Sequence, residues 1–203
     1  MKKKLLKYIK TEIIKQYPNY SNDKISEIMY GIEGLYLTLT KTILIFFVAF
    51  ILGIWKELLL LLIFFNIIRM FSFGMHANKS WICLIFSSSL FITFTYLCKY
   101  LNITRFVLYF IYLLIILIII LYSPADTIKR PLINRKKRII WKILSIITVF
   151  IYFLISVNIK NNLIINCLTF SLIIECILIL PITYKIFNMP YNNYKNYGLN
   201  ITR

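Results

Sequence analysis

Residues 58–83 read LLLLLIFFNIIRMFSFGMHANKSWIC, an apolar run broken at Arg69 and followed by Gly74, by the chain's sole histidine, His76, and by Cys83. A helix rises about 1.5 Å per residue and a bilayer's hydrocarbon core is about 30 Å thick, so residues 58–68 alone are too short to cross it. Counting on through Phe73 lengthens the segment, but leaves Arg69 near its end and Gly74 where the chain is free to turn. The pattern predicts a half-buried helix followed by a break. The rest of the chain is read around that break.

A thiol is a useful nucleophile when a neighbouring base or a positive dipole favours its thiolate, and imidazole is the side chain best poised to exchange a proton near neutral pH. Cys83 and His76 are therefore the candidate catalytic pair. One histidine and one cysteine close in sequence also arise as plain packing residues, so composition leaves both readings open. On one straight helix the two would share a face but stand about 10.5 Å apart along the axis, too far for direct proton transfer. The pairing thus requires a bend. Gly74 permits unusual backbone angles, and Asn78 or Ser80 is suited to cap a new helix whose first turn holds Cys83 and whose dipole favours the thiolate.

Working outward, 60% of the 203 residues are hydrophobic and mean hydropathy is +0.78, more apolar character than a soluble domain of this length buries. The fold class that follows is all-α: a polytopic membrane helix bundle of about six transmembrane segments, some short or discontinuous, with an N-terminal amphipathic interfacial helix. No Pro/Gly/Ser-rich linker divides the chain. It reads as a single integral membrane domain over residues 1–203, with cytosolic or interfacial helices to 34, the bundle over 35–187 and a cytosolic tail over 188–203. Leu5, Ile9, Ile13 and Tyr17 form one helical stripe among lysines, the pattern of a helix lying in the membrane interface or on the protein's own cytosolic face. Pro18 ends it, and Ser21 or Asn22 is placed to cap the next helix. Spans are expected over residues 37–54, 81–97, 106–122, 139–157 and 163–187, beside the short segment before Gly74, and Pro181 should kink or shorten the last. Glu175, an isolated acid in that last span, needs a partner, a water pocket or a proton.

The formal net charge is +17. The lysines and arginines flank apolar spans instead of forming a basic soluble surface with aromatic platforms, which points to membrane orientation and away from nucleic acid. Lysines crowd the residues before the first span, and Lys129, Arg130, Arg135, Lys136, Lys137 and Arg138 form the densest cluster. If the spans alternate, these groups, both termini and residues 69–83 share the side that the positive-inside rule makes cytosolic. Cys83, Cys98, Cys167 and Cys176 include no CxxC pair and one histidine cannot complete a metal cluster, so neither a metal nor another cofactor is expected. Arg69 suits either a carboxylate or oxyanion partner or a structural salt bridge, and Ser80 is a cap more than a nucleophile. Glu33 stands at the entrance of the first span, where it is solvated, paired or turned towards a substrate cavity. Asp126, Glu33 and Asn78 are weak candidates for a third catalytic member.

Arg69, Gly74, His76 and Cys83, with Ala77, Lys79 and Ser80 between them, resemble the signature of the accessory gene regulator protein B family. Downstream, Ser123-Pro124-Ala125-Asp126-Thr127, followed by Lys129, Pro131 and the basic run, resembles that family's loop between its fourth and fifth membrane segments. Length, number of spans and loop order agree, so the resemblance covers essentially the whole chain. Phe73 departs from the small residue that many relatives carry before Gly74. The resemblance implies a membrane cysteine endopeptidase of Gram-positive quorum sensing. In it, Cys83 as nucleophile and His76 as base remove the C-terminal tail of an autoinducing-peptide precursor through an acyl thioester, and promote closure of a thiolactone or lactone ring. It also implies an AgrD-like propeptide as partner, with an amphipathic leader, a small ring-forming core and an acidic tail that the basic residues 129–138 are charged to attract. Membrane lipid is the other partner, and a homodimer is compatible with the resemblance. The competing class is a non-enzymatic membrane scaffold or peptide exporter. No GxxxxGK[ST] motif supports nucleotide-driven transport.

Overall fold

The computed structural model describes residues 2–18, 20–75, 80–127 and 132–195, leaving aside the side chains of residues 2–4, 22, 23, 27, 30, 33, 37 and 80. The helices α1 (Lys2–Gln16), α2 (Asn22–Ile51), α3 (Trp55–Ser72), α4 (Ser80–Tyr100), α5 (Arg105–Tyr122), α6 (Arg135–Asn158), α7 (Asn162–Ile179) and α8 (Pro181–Ile186) follow one another. Among the described residues, α4, α5, α6, α7 and residues 34–51 of α2 are long and apolar enough to cross a membrane. The chain is a multi-pass helical membrane protein, as its composition predicts.

The chain divides into two compact units, residues 1–47 and 48–203. In the first, α1 leaves Leu5 and Ile14 of its apolar side exposed, and Tyr17 just beyond it is exposed too. Pro18 follows it, and the rings of Tyr17 and Tyr20 stack at 4.9 Å across the turn. Ser21 Oγ accepts the Lys24 N–H at 3.3 Å and so caps α2 as the sequence suggests.

The second unit begins with the end of α2, closed by a Schellman turn. Gly53 adopts a φ of +66°, its N–H reaches the Phe50 carbonyl, and the Ile54 N–H reaches the Ala49 carbonyl at 2.9 Å. The unit is arranged around α7, against which α3, α4, α5 and α6 all pack. A helix that is apolar on every side belongs inside. Accordingly α7 buries Ile165, Leu168, Phe170, Leu172, Ile174 and Ile179, residues spread around its circumference. In lipid, helices gain little by hiding apolar surface from one another, so association rests on close packing and interhelical hydrogen bonds. Tyr152 Oη donates to the Phe64 carbonyl at 2.9 Å. Asn166 Nδ2 donates to the Cys98 carbonyl at 3.0 Å and the Leu101 carbonyl at 2.5 Å, satisfying groups that the end of α4 would otherwise leave open.

The segment before Gly74 is α3, a half-buried helix that ends at the expected break; among the described residues it is not one of the five helices long and apolar enough to cross. An apolar count stops at Ile68, but the helix continues from Trp55 to Ser72 and is 18 residues long, or about 27 Å. Leu58, Leu61, Phe65, Ile68 and Ser72 lie on one buried stripe. Lys56, Glu57 and Arg69 set its composition apart from that of the five candidate spans. The expected break follows at Phe73. Pro181 divides the last predicted span into α7 and α8, and sits at the first position of α8, where its missing N–H costs nothing.

One end of this unit brings together the segments that follow α3 and α5 and the end of α7. The C-terminal end of α3 meets Ala125 beyond α5 and Leu178 at the end of α7. Phe71 and Phe73 pack on Trp141 in the second turn of α6, at centroid distances of 6.0 and 5.5 Å. Phe86, near the start of α4, meets Phe187 edge-on at 4.9 Å.

Candidate active site

At the break, Phe73 has φ 60° and ψ −119°, and Gly74 has φ +104°. A bulky residue at positive φ is strained by about 1–3 kcal/mol and persists only where its surroundings hold it. Here the holding is explicit. Phe73 forms a parallel bridge with Ala125, the Gly74 N–H donates to the Ala125 carbonyl at 2.9 Å, and the Ala125 N–H donates to the Ser72 carbonyl at 2.9 Å. The two stretches singled out in the sequence, 69–83 and 123–127, are thus joined backbone to backbone. The next N–H, that of Met75, donates to the Leu178 carbonyl of α7 at 3.2 Å.

Arg69 is the electrostatic centre of this end. Its Nη1 lies 3.2 Å from Glu175 Oε1 and 3.3 Å from Oε2, and its Nη2 donates to the Met75 carbonyl at 2.8 Å. The Arg69 side chain is 15% exposed and that of Glu175 0%. Ser72 Oγ adds a hydrogen bond of 2.5 Å to Glu175 Oε1. The isolated acid of the last span therefore has two partners, both on α3. Both terminal nitrogens of Arg69 are engaged within the protein.

Gly74 lies against that guanidinium. A Cβ added there would stand 2.1 Å from Arg69 Nη1 and 3.2 Å from the Leu178 carbonyl oxygen. Both the positive φ and this close approach require glycine.

Cys83 lies in the first described turn of α4 and is half-buried and unpaired with other cysteines. Its Sγ is 4.0 Å from Ser87 Oγ, and Ser87 Oγ also bonds back to the Cys83 carbonyl. His76, Asn78, Lys79, Lys129 and Arg130 lie outside the described residues, as do the side chains of Glu33 and Ser80. The bend expected between His76 and Cys83 lies outside them too; the described interruption is at residues 73–75.

Asp126 is buried, and both its oxygens are occupied. Oδ1 accepts the Asn193 N–H at 2.9 Å and Oδ2 the Tyr194 N–H at 2.7 Å, while its own carbonyl accepts from Tyr184 Oη at 3.0 Å. The carboxylate thus fastens the chain beyond α8. Burial pushes the Tyr191 phenol beside it up to about 12 and raises that of Tyr184 as well, so both rings stay neutral around the carboxylate. Asn134 caps α6, its Oδ1 accepting the Lys136 and Lys137 N–H groups at 2.9 and 3.3 Å. Arg135, Lys136 and Lys137 are exposed there, and the Arg138 guanidinium stacks 3.6 Å from the Tyr194 ring centroid.

Sequence reasoning missed Glu175 as the partner of Arg69, Ser72 as its second donor, and the C-terminal amides on Asp126. The one signal for the first was that a lone acid and a lone arginine near the ends of two apolar helices each require a counter-charge.

The fold and its described residues define a multi-pass helical membrane protein with a half-buried thiol in the first turn of α4 and a structured helix break after α3. The family model described as Accessory gene regulator B matches residues 3–179, and the chain belongs to that family. It is 30% identical over 191 residues to an AgrB-like protein of Clostridium acetobutylicum, covering 94% of this chain and 87% of that one. It is 32% identical over 168 residues to accessory gene regulator protein B of Staphylococcus epidermidis, covering 82% and 84%. To accessory gene regulator protein B of Staphylococcus aureus strain MRSA252 it is 31% identical over 170 residues, covering 82% and 88%. No solved structure matches it significantly. Membership ties the chain to accessory gene regulator systems and supports a role in the quorum-sensing pathway.

Gly74→Ala should displace the Arg69 guanidinium and strain the backbone, costing about 1–3 kcal/mol. Thermal unfolding in detergent measures this, and a variant as stable as the parent contradicts the close packing at Gly74.

Proposed function

We propose that this chain is a membrane cysteine endopeptidase that removes the C-terminal tail of an AgrD-like autoinducing-peptide precursor and promotes its cyclisation. The observation that carries the reading is Cys83, half-buried at the head of α4, at the end of the unit where the break after α3 is pinned to Ala125 and α7. Cys83 Sγ attacks the carbonyl before the tail as His76 takes the thiol proton. The C–N bond then breaks, His76 returns the proton to the leaving amine, and the precursor remains as an acyl thioester. A thiol or hydroxyl of the precursor displaces Cys83 from that carbonyl and closes the ring. Exclusion of water from a partly membrane-buried site would suppress hydrolysis at this stage.

The first turn of α6 supplies a place for an acidic tail. Arg135, Lys136 and Lys137 crowd the end of a helix whose dipole is already positive, so an anion relieves both repulsions. Among the described residues, neither ion pair involves these three. By the positive-inside rule the same charges support a cytosolic location for this end, where reducing conditions would keep Cys83 free.

Inside-out vesicles carrying the wild-type protein should release the tail of an added synthetic precursor, and vesicles carrying Cys83→Ala should release none. Retained cleavage by the variant sinks the nucleophile assignment, and equal cleavage by right-side-out vesicles sinks the sidedness. Neutralising Arg135, Lys136 and Lys137 to Gln in a protein that still inserts should raise the apparent KM and flatten its salt dependence. Unchanged kinetics reduce the cluster to a topological role.

A further inference from the structure

We propose that Glu175, assisted by Ser72, is a positioning residue for the segment that enters His76, acting through Arg69 on the Met75 carbonyl. The inference rests on the reading of His76 and Cys83 as base and nucleophile. Glu175 belongs to α7, remote in sequence from both, and its buried carboxylate receives Arg69 Nη1 and Ser72 Oγ. With that nitrogen fixed, the planar guanidinium has little freedom left, and its Nη2 meets the Met75 carbonyl at 2.8 Å. That carbonyl belongs to the peptide bond joining Met75 to His76. The Met75 N–H is held in turn by the Leu178 carbonyl, three residues beyond Glu175 on the same helix. Both polar groups of the residue before the histidine are therefore referred to α7, one directly and one through the ion pair.

A role in positioning explains why the pair is ionic. Well-packed apolar residues often replace a buried ion pair without loss of stability, so such a pair is better suited to specifying one arrangement than to holding helices together. Three apolar side chains in place of Arg69, Glu175 and Ser72 would fill the volume between α3 and α7 but offer no donor to the Met75 carbonyl. Gly74 completes the device, since any side chain there would push the guanidinium off its two acceptors.

The test measures the rate at which iodoacetamide alkylates Cys83 at pH 7, by peptide mass spectrometry on the full-length protein in detergent, together with the kinetics of tail release. His76→Ala should slow alkylation, since it removes the base. Glu175→Gln should lower both alkylation and the kcat of tail release about 10- to 100-fold, the range for a small misplacement of a reacting group, with little change in KM. The double variant His76→Ala/Glu175→Gln should be no slower in alkylation than His76→Ala, because the carboxylate acts only through the segment bearing the base. Ser72→Ala keeps the charge pair intact and should move both rates the same way by a smaller factor, which preserves the test if Glu175→Gln does not fold. If His76→Ala alkylates at the parental rate, the base assignment fails and the inference falls with it. If His76→Ala is slow but Glu175→Gln, or Ser72→Ala in its place, alkylates like the parent, the positioning role alone is overturned. Losses that multiply in the double variant overturn it as well.

Discussion

Arg69 stands near the end of an apolar helix, and a guanidinium in such a place has to be neutralised before neighbouring helices can close around it. Glu175 provides the counter-charge from α7, and the pair is buried almost completely. Once fixed, the guanidinium becomes a rigid donor whose second nitrogen takes the Met75 carbonyl, and it fills the space that a side chain at position 74 would need. The need for glycine at position 74 and the hold on the Met75 carbonyl both follow from this one pair. Because α7 is the helix against which α3, α4, α5 and α6 all pack, the geometry of the break is referred to the most firmly buried element of the unit.

The loop after α5 is the second support. Ala125 exchanges backbone hydrogen bonds with Ser72 and Gly74, while the adjacent Asp126 uses its carboxylate to hold the amides of Asn193 and Tyr194. Tyr194 then carries the Arg138 guanidinium on its ring. A chain of contacts therefore runs from the break, through the loop and the segment beyond α8, to the basic first turn of α6. On the proposed chemistry, the thiol, the segment entering the base and the positive surface for the precursor's tail are parts of one assembled end, although they come from separate stretches of sequence.

Much of this was legible in the amino-acid sequence where the cause is local. Apolar runs of sufficient length marked the spans, Ser21 marked the start of α2, Pro181 marked the division of the last span, and Gly74 marked the break. The half-buried helix ending before Gly74 was legible too, but not the charge on another helix that neutralises Arg69 near its end. Glu175 was recognisable as an acid in need of a partner, but not as the partner of Arg69, because nothing in the local pattern of either helix specifies which faces meet. Asp126 is a similar case. Its residue type suggested chemistry, and its surroundings show a carboxylate saturated by backbone amides 67 and 68 positions away.

The central claim is that Cys83 becomes acylated by the precursor. Its most direct test is peptide mass spectrometry of wild-type protein quenched in acid soon after mixing with a synthetic precursor. The account predicts an adduct on Cys83 with the mass of the precursor less its tail, removed by neutral hydroxylamine as a thioester should be. Tail release with Cys83 unmodified at every time point, or an adduct on another residue, would contradict it.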